Sequence, residues 1–341
     1  MLRLRRGEVV GEDPLVVEVA GERRPAWADT ALVGEVREGD EVVVNTEALD
    51  LGLGSGGFDV VHVNLSRGLD SAGAEGSHVM KLNYTSLQHA VAPVELAPET
   101  SSSLPAVPVL VIPLHSHLAP AAWAARSANR DLEVGYVQSA GGALPGGLSR
   151  DVAELRSRGL LAGHLTAAPS FGGEREAISV PGAIEAAAVA LGWGAVIVGP
   201  GPGILGSSSR YGHGGMAALD NAHAALALGL PTVLSPRLSA ADPRPRHRGV
   251  SHHTRTVLEL LLGGVEVVLP EGEDAVTPQL APLLGERHTL VREPAALDRY
   301  AETGLPARAM GRGPDQDPLF FAAALASGRR LGRRAGEEEP E

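Results

Sequence analysis

Two segments of this chain concentrate residues that do chemistry. The first runs Ala195-Val-Ile-Val-Gly-Pro-Gly-Pro-Gly-Ile-Leu-Gly-Ser-Ser-Ser-Arg-Tyr-Gly-His-Gly-Gly215. A β-branched run feeds a Gly/Pro/Ser loop, and helix-favouring Met216 to Leu228 follows. Strand, glycine-rich loop and helix in that order build anion sites, because glycine lets backbone N–H groups approach a ligand and the helix N-terminus adds partial positive charge. Gly201, Gly203 and the hydroxyls of Ser207 and Ser208 are thus expected to hold an anion. The alternative is a plain connector, for which the loop is long. Its spacing matches neither G-x-G-x-x-G nor G-x-x-x-x-G-K-[ST], so no named nucleotide motif follows. The second segment, 237–255, carries five Arg, three His and one Asp in a chain of net charge −12. Arginine forks recognise carboxylate and phosphate in two-point contacts. Arg246, Arg248 and Arg255, with His247, are therefore expected to neutralise the anion. A solvated basic loop is the alternative.

Three smaller groups complete the chemistry. His115 and His117 flank Ser116 at the end of an apolar run. With Asp242, His252 and His253 they could form a divalent metal site and supply catalytic groups, although the H-E-x-x-H spacing is absent. Glu174 and Glu176 are acid/base candidates, Glu176 foremost; the alternative is that either favours the N-terminus of a following helix. Glycines in Gly141-Gly-Ala-Leu-Pro-Gly-Gly147 and Phe171-Gly-Gly-Glu-Arg-Glu176 (Gly142, Gly172 and Gly173 in particular) are expected to approach a ligand. No G-x-S-x-G elbow exists, so the serines are expected to bind rather than attack.

Composition closes many alternatives. There is no cysteine, which removes thiol nucleophiles, disulfides and Fe–S clusters. Lys81 is the only lysine. A Walker A loop has no lysine to use, and a pyridoxal Schiff base is not expected. The acidic balance argues against non-specific nucleic-acid and anionic-membrane binding, and aromatics at 3% argue against stacking platforms. The first residues lack the apolar core of a signal peptide, and no apolar run reaches a membrane span. A cytoplasmic protein is expected. A divalent metal and a homo-oligomer stay open.

The elements that must position these residues come in two grammars. Up to about residue 98, short strand-like runs alternate with Gly/Asp/Pro turns and leave no room for helices, which predicts a small β-barrel or sandwich. Residues 99–108 read as a linker. From Val109 to about residue 328, apolar strands alternate with helices, ending in strand Val265 to Leu269 and a last packing helix near Asp317. This predicts a Rossmann-like three-layer α/β domain with a mostly parallel sheet. Residues 329–341 read as a disordered acidic tail. In a parallel sheet the strand-to-helix loops share one edge. His115, Gly142, Glu176, Gly203 and His252 should therefore meet in one cleft.

Several stretches together resemble an uncharacterised bacterial family, domain-of-unknown-function family 3866. They are Leu114-His-Ser-His-Leu-Ala-Pro120, Gly141-Gly-Ala-Leu-Pro145, Phe171-Gly-Gly173 with Glu176-Ala177, Gly201-Pro-Gly-Ile204 and Arg246-His-Arg-Gly-Val-Ser-His-His253. Tyr84-Thr-Ser-Leu-Gln88 and Met310-Gly-Arg-Gly313 also fit. Ser207-Ser-Ser209 departs from the family's more frequent Gly-Thr-Gly-Thr. The resemblance spans nearly the whole chain and implies no activity. The residues themselves lead to a small anionic ligand, phosphorylated or a nucleotide. A metal-dependent hydrolase and a non-catalytic partner-binding scaffold are the alternatives.

Overall fold

The computed structural model describes residues 2–54, 56–69, 76–96 and 104–337, and the chain divides into two compact units, Met1–Ala92 and Pro93–Glu341. In the first unit, β1 (Leu4–Glu12), β2 (Leu15–Val19) and β3 (Glu22–Trp27) are followed by a single helical turn, α1 (Thr30–Val33). Then come β4 (Glu41–Asn45), a second turn α2 (Glu47–Asp50) and β5 (Asp59–Asn64). The strands close into a barrel in the order β1-β2-β3-β5-β4, with β3 and β5 parallel and the other pairs antiparallel. That order is a five-stranded Greek-key barrel of the OB type. Alternating valines fill it: Val42 and Val44 of β4 point in, beside Val9, Val17, Val19, Val33 and Val61. A hairpin of β6 (Val79–Lys81) and β7 (His89–Val91) completes this unit.

The second unit is built on β8 (Val109–Val111), α3 (Leu118–Ala128), β9 (Val134–Ser139), α4 (Arg150–Ser157), β10 (Gly163–Ala167), β11 (Arg175–Ala177), α5 (Val180–Val189) and β12 (Ala195–Pro200). It continues through α6 (Ala217–Ala227), β13 (Thr232–Leu234), the two-residue pair β14 (Leu238–Ser239) and β15 (Gly249–Val250), α7 (His252–Leu260) and β16 (Glu266–Pro270). It ends with α8 (Thr277–Leu284), β17 (Thr289–Glu293), α9 (Leu297–Ala301) and α10 (Pro318–Arg334). Eight strands form one all-parallel sheet in the order β11-β10-β9-β12-β8-β13-β16-β17. Both faces are covered, so the strands are near-continuous apolar runs. Val109 and Val111 face the α5–α8 layer, and Leu110 faces the α3–α4–α10 layer.

Close packing is carried by small residues at defined places. Trp193 lies over β9 and β10, where a Cβ on Gly135 or Gly163 would fall 1.7 or 2.6 Å from the indole. On α10, Gly328 and Gly332 bring the helix so near α3 that added methyls would meet the carbonyls of Ala121 and Ala125 at 2.1 and 2.4 Å.

Three expectations are revised. The strand series does not end at Leu269, since β17 pairs with β16. Arg175–Ala177 is not loop but a parallel edge strand, which leads into α5. The stretch expected to be disordered from Arg329 is helical as far as Arg334, held by ion pairs from Arg330 to Glu266 and Glu337 and from Arg333 to Glu293. Residues 338–341 and the first half of the expected linker, 99–103, lie outside the described residues. Among the described residues, no helix is long and apolar enough to cross a membrane.

Candidate functional site

The sheet order decides which loops meet. The chain leaves β9 towards β10 and leaves neighbouring β12 towards β13, so their loops diverge from a shared edge, the usual place for a ligand in open α/β sheets. Glycine serves mainly to let these two loops touch each other. A Cβ on Gly142 would sit 2.1 Å from the Gly201 carbonyl, and one on Gly214 would sit 2.1 Å from the Gly141 carbonyl. Ala143 N–H donates to the Pro202 carbonyl at 2.7 Å. Beyond them, Gly203 (φ +73°) opens an exposed turn. In that turn the Ser207 hydroxyl donates to the Gly212 carbonyl and accepts from Ser209 N–H. Ser208 is exposed on the same loop.

The β10–β11 loop is bound to its own strands. Glu176 accepts from Gly172 N–H and the Thr166 hydroxyl, both at 2.7 Å, and a Cβ on Gly173 would press on Thr166. Glu174 pairs with Arg156 at 2.5 Å. Phe171 N–H donates to the Leu144 carbonyl and Gly146 N–H to the Phe171 carbonyl, which joins this loop to that of β9.

His115 and His117 leave one turn in different directions. His115 Nδ1 faces the Pro200 carbonyl at 3.3 Å, so it carries the proton, and Nε2 accepts the Ser149 hydroxyl at 2.7 Å. Ser149 also caps α4 by accepting from Val152 N–H. Burial pushes His115 down to about 4, which leaves it neutral. His164, stacked on Tyr136, extends this buried group. His117 turns towards β13: Nδ1 meets the Ser235 hydroxyl at 2.9 Å and the ring packs edge-on against Phe320.

The other histidines converge. His252 and His253 open α7, whose N-cap Ser251 accepts from His253 N–H. His213, from the end of the β12 loop, stacks on His253 with ring centroids 3.8 Å apart and stands edge-on to His252 at 5.0 Å. Among the described residues, His213, His252 and His253 bring donor atoms within 4.8 Å of one another. His247 backs them, its ring 4.9 and 5.0 Å from those of His252 and His253, with Nδ1 bonded to the Ser251 hydroxyl. His115, His117 and Asp242 are not part of this donor group. His213 escaped the sequence reading; a histidine between glycines directly before a helix was the available signal.

Beside the imidazoles lies an arginine cluster. Arg237 is 2% exposed. Its Nη1 lies 3.2 Å from His253 Nδ1, its Nη2 reaches Asp242 at 3.5 Å and the Met310 sulfur at 3.3 Å, and its Nε has no hydrogen-bond partner. Asp242, fully buried, also accepts from Arg244 at 2.8 and 2.9 Å and from Arg312 at 3.4 Å. Burial works to raise the Asp242 carboxyl, but the Arg244 bonds and charge overcome it and hold the group well below the usual range. Asp317, at the start of α10, holds Arg312, the Ser239 hydroxyl and Ala240 N–H. Burial, then the charge of Arg244, pulls Arg237 down to about 10. Arg246 is exposed and makes no ion pair among the described residues, yet its charge bears on both Arg237 and His252. Arg248 donates to the Asp242 carbonyl, whereas Arg255 ties α7 to Gln279 of α8.

A family profile described as "Protein of unknown function (DUF3866)" matches residues 25–328. The chain belongs to that family. The match reaches from the barrel into α10, so the histidine and arginine groups lie inside the DUF3866 region. No curated protein and no solved structure matches the chain.

Proposed function

We propose that this DUF3866 protein binds a small anionic molecule, of the phosphate or carboxylate class, at the arginine cluster beside β13. The carrying observation is an acceptor of the wrong kind. Arg237 Nη2 and Arg244 Nη2 both point at the Met310 sulfur, at 3.3 and 3.0 Å. A thioether is a weak acceptor, and two guanidiniums sharing one would gain far more from an oxyanion. The charge balance supports the same reading. Arg237, Arg244 and Arg312 share the carboxylates of Asp242 and Asp317, and the charge of Arg246 also reaches Arg237, which leaves positive charge over. Met310 is about half exposed, so an anion arriving past Arg246 has a side chain to displace rather than a wall.

The glycine loop then acts as a frame. Its peptide groups are used between loops and within the Ser207 turn, and the arginines supply recognition. Thermal-shift titration with inorganic phosphate, pyrophosphate, nucleoside phosphates and small carboxylates tests this. At least one should raise the melting temperature, the effect should shrink in high salt, and Arg246→Glu should need roughly ten- to a hundredfold more anion for the same shift. If no anion shifts the transition, or Arg246→Glu responds as the wild type does, the proposal fails.

A further inference from the structure

We infer that His213, His252 and His253 form a binding site for a divalent transition-metal ion, with zinc the best match. The donor set is made wholly of imidazole, with no carboxylate or thiolate, which suits zinc, copper or nickel and not magnesium or calcium. The three rings come from two elements, the end of the β12 loop and the first turn of α7, and their donor atoms already lie within 4.8 Å of one another. Ligation at about 2.0–2.1 Å requires the His213 and His253 rings, stacked 11° from parallel, to turn out of the stack so that their lone pairs converge.

The unsatisfied nitrogens point to an ion and not to mutual hydrogen bonding. His213 Nε2 donates to the Arg210 carbonyl at 3.0 Å, which leaves Nδ1 as a lone-pair donor; that buried Nδ1 has no partner. A ligating histidine whose second nitrogen is fixed by a backbone carbonyl is the usual support of a metal site. His252 Nε2 is likewise buried without a partner. A buried polar atom left unpaired costs on the order of 1–3 kcal/mol, so two in one cluster call for a missing partner. Gly215 leaves room at this place: a Cβ there would sit 2.7 Å from His253 Nδ1 and 2.9 Å from His213 Nδ1.

Three protein nitrogens leave a tetrahedral ion one position for water or an anion. The neighbouring charges set what comes with it. Arg237 and Arg246 act on the cluster, so a bare cation is opposed and a metal paired with an anion is favoured. His253 Nδ1 now faces Arg237 Nη1; on metal binding that N–H turns to the anion. Metal and anion are therefore expected to strengthen each other's binding, equally in both directions.

Full-length protein without a histidine tag, stripped with chelator and titrated with Co2+ and then Zn2+, tests the site. The expected result is a single equivalent of cobalt with the visible absorption of a tetrahedral nitrogen site, displaced by zinc and untouched by Mg2+. His213→Ala and His252→Ala should each weaken zinc by roughly a hundredfold or more, beyond the usual loss from a supporting residue. Gly215→Ala should also weaken it, and His62→Ala, in the barrel, should not. If an alanine variant does not fold, His213→Gln and His252→Gln carry the same comparison. The inference is overturned if the wild type takes up no stoichiometric metal, or if the His213 and His252 variants keep it. Arg246→Glu should retain zinc. Zinc titrated without phosphate, and phosphate titrated into chelator-stripped protein, thus report on separate proposals.

Discussion

Asp40 in the barrel and Asp242 at the sheet edge are both buried carboxylates, 2% and 0% exposed, and their surroundings are opposite. Asp40 meets one guanidinium, Arg67 at 2.7 Å, with Asn64 Nδ2 at 2.8 Å and Arg37 N–H at 2.9 Å. Charge is matched one to one and the remaining acceptor capacity is filled by neutral donors. Asp242 is shared by three guanidiniums, one of which has a nitrogen with no partner and leans on a thioether. Polar groups that serve only the fold close their own accounts within it. At the sheet edge they do not close, and that imbalance is what the anion proposal rests on.

The largest effect should come from Asp242→Asn. It removes the negative charge from three arginines at nearly constant volume and leaves Arg237 buried without a counter-charge. Breaking a buried pair in this way costs about 3–5 kcal/mol, read as a lower urea midpoint for the α/β unit. Phosphate should restore part of it. A loss below about 1 kcal/mol would show that Arg237 is not dependent on this carboxylate.

Asp40→Asn should cost less, about 1.5 kcal/mol, the low end for a charge-assisted bond, because the Arg67 side chain is half exposed and turns to water. Phosphate should give no rescue here. Rescue of both variants alike would erase the contrast between the two regions.

Acid sharpens the same comparison. The Arg67 bond, working against burial and helped by the Arg37 amide and Asn64, lowers the Asp40 carboxyl to about 2. An unfolded aspartate titrates near 3.9, so the folded state binds fewer protons. Its stabilisation is therefore complete above about pH 4 and drains away as pH falls from there towards 2. Urea midpoints measured between pH 2 and 5 should fall more steeply in the wild type than in Asp40→Asn. Parallel slopes would remove Asp40 as the cause.

The smallest effects on the fold belong to the exposed residues. Arg246→Glu should change stability by within about half a kcal/mol, while weakening the best anion roughly ten- to a hundredfold. Met310→Ala should tighten that anion slightly, by removing the side chain that has to be displaced. A weaker anion in Met310→Ala would recast the thioether as part of the binding surface.

Much of this architecture was readable from residue order. Turn-punctuated valines without intervening helices marked the barrel, and runs such as Ala195 to Val198 marked a doubly covered parallel sheet. The β17 strand was missed because its Thr289-Leu-Val-Arg-Glu293 pattern is edge-like and half polar. The candidate site was less legible. Glycine next to a strand end looks the same whether it approaches a phosphate or another glycine, and Gly142 meets Gly201 only because β9 and β12 are neighbours. His213 and Arg237 were passed over for a similar reason. One sits in a glycine loop and the other in an arginine-rich run that reads as surface, and their burial depends on the α6, α7 and α10 packing.

The position of β8 has a consequence for how the protein is made. It is the first strand of its unit to be synthesised, yet it lies in mid-sheet between β12 and β13, which follow much later, and under α10, which comes last. Such non-local pairing is slow to form. The last strand of the barrel ends at Asn64, whereas β8 has no sheet partner until β12 has been made. Arg312 and Asp317 also arrive only with the final helix. A nascent chain therefore has no complete arginine cluster, and an anion bound as proposed would stabilise finished molecules and not the chains that precede them.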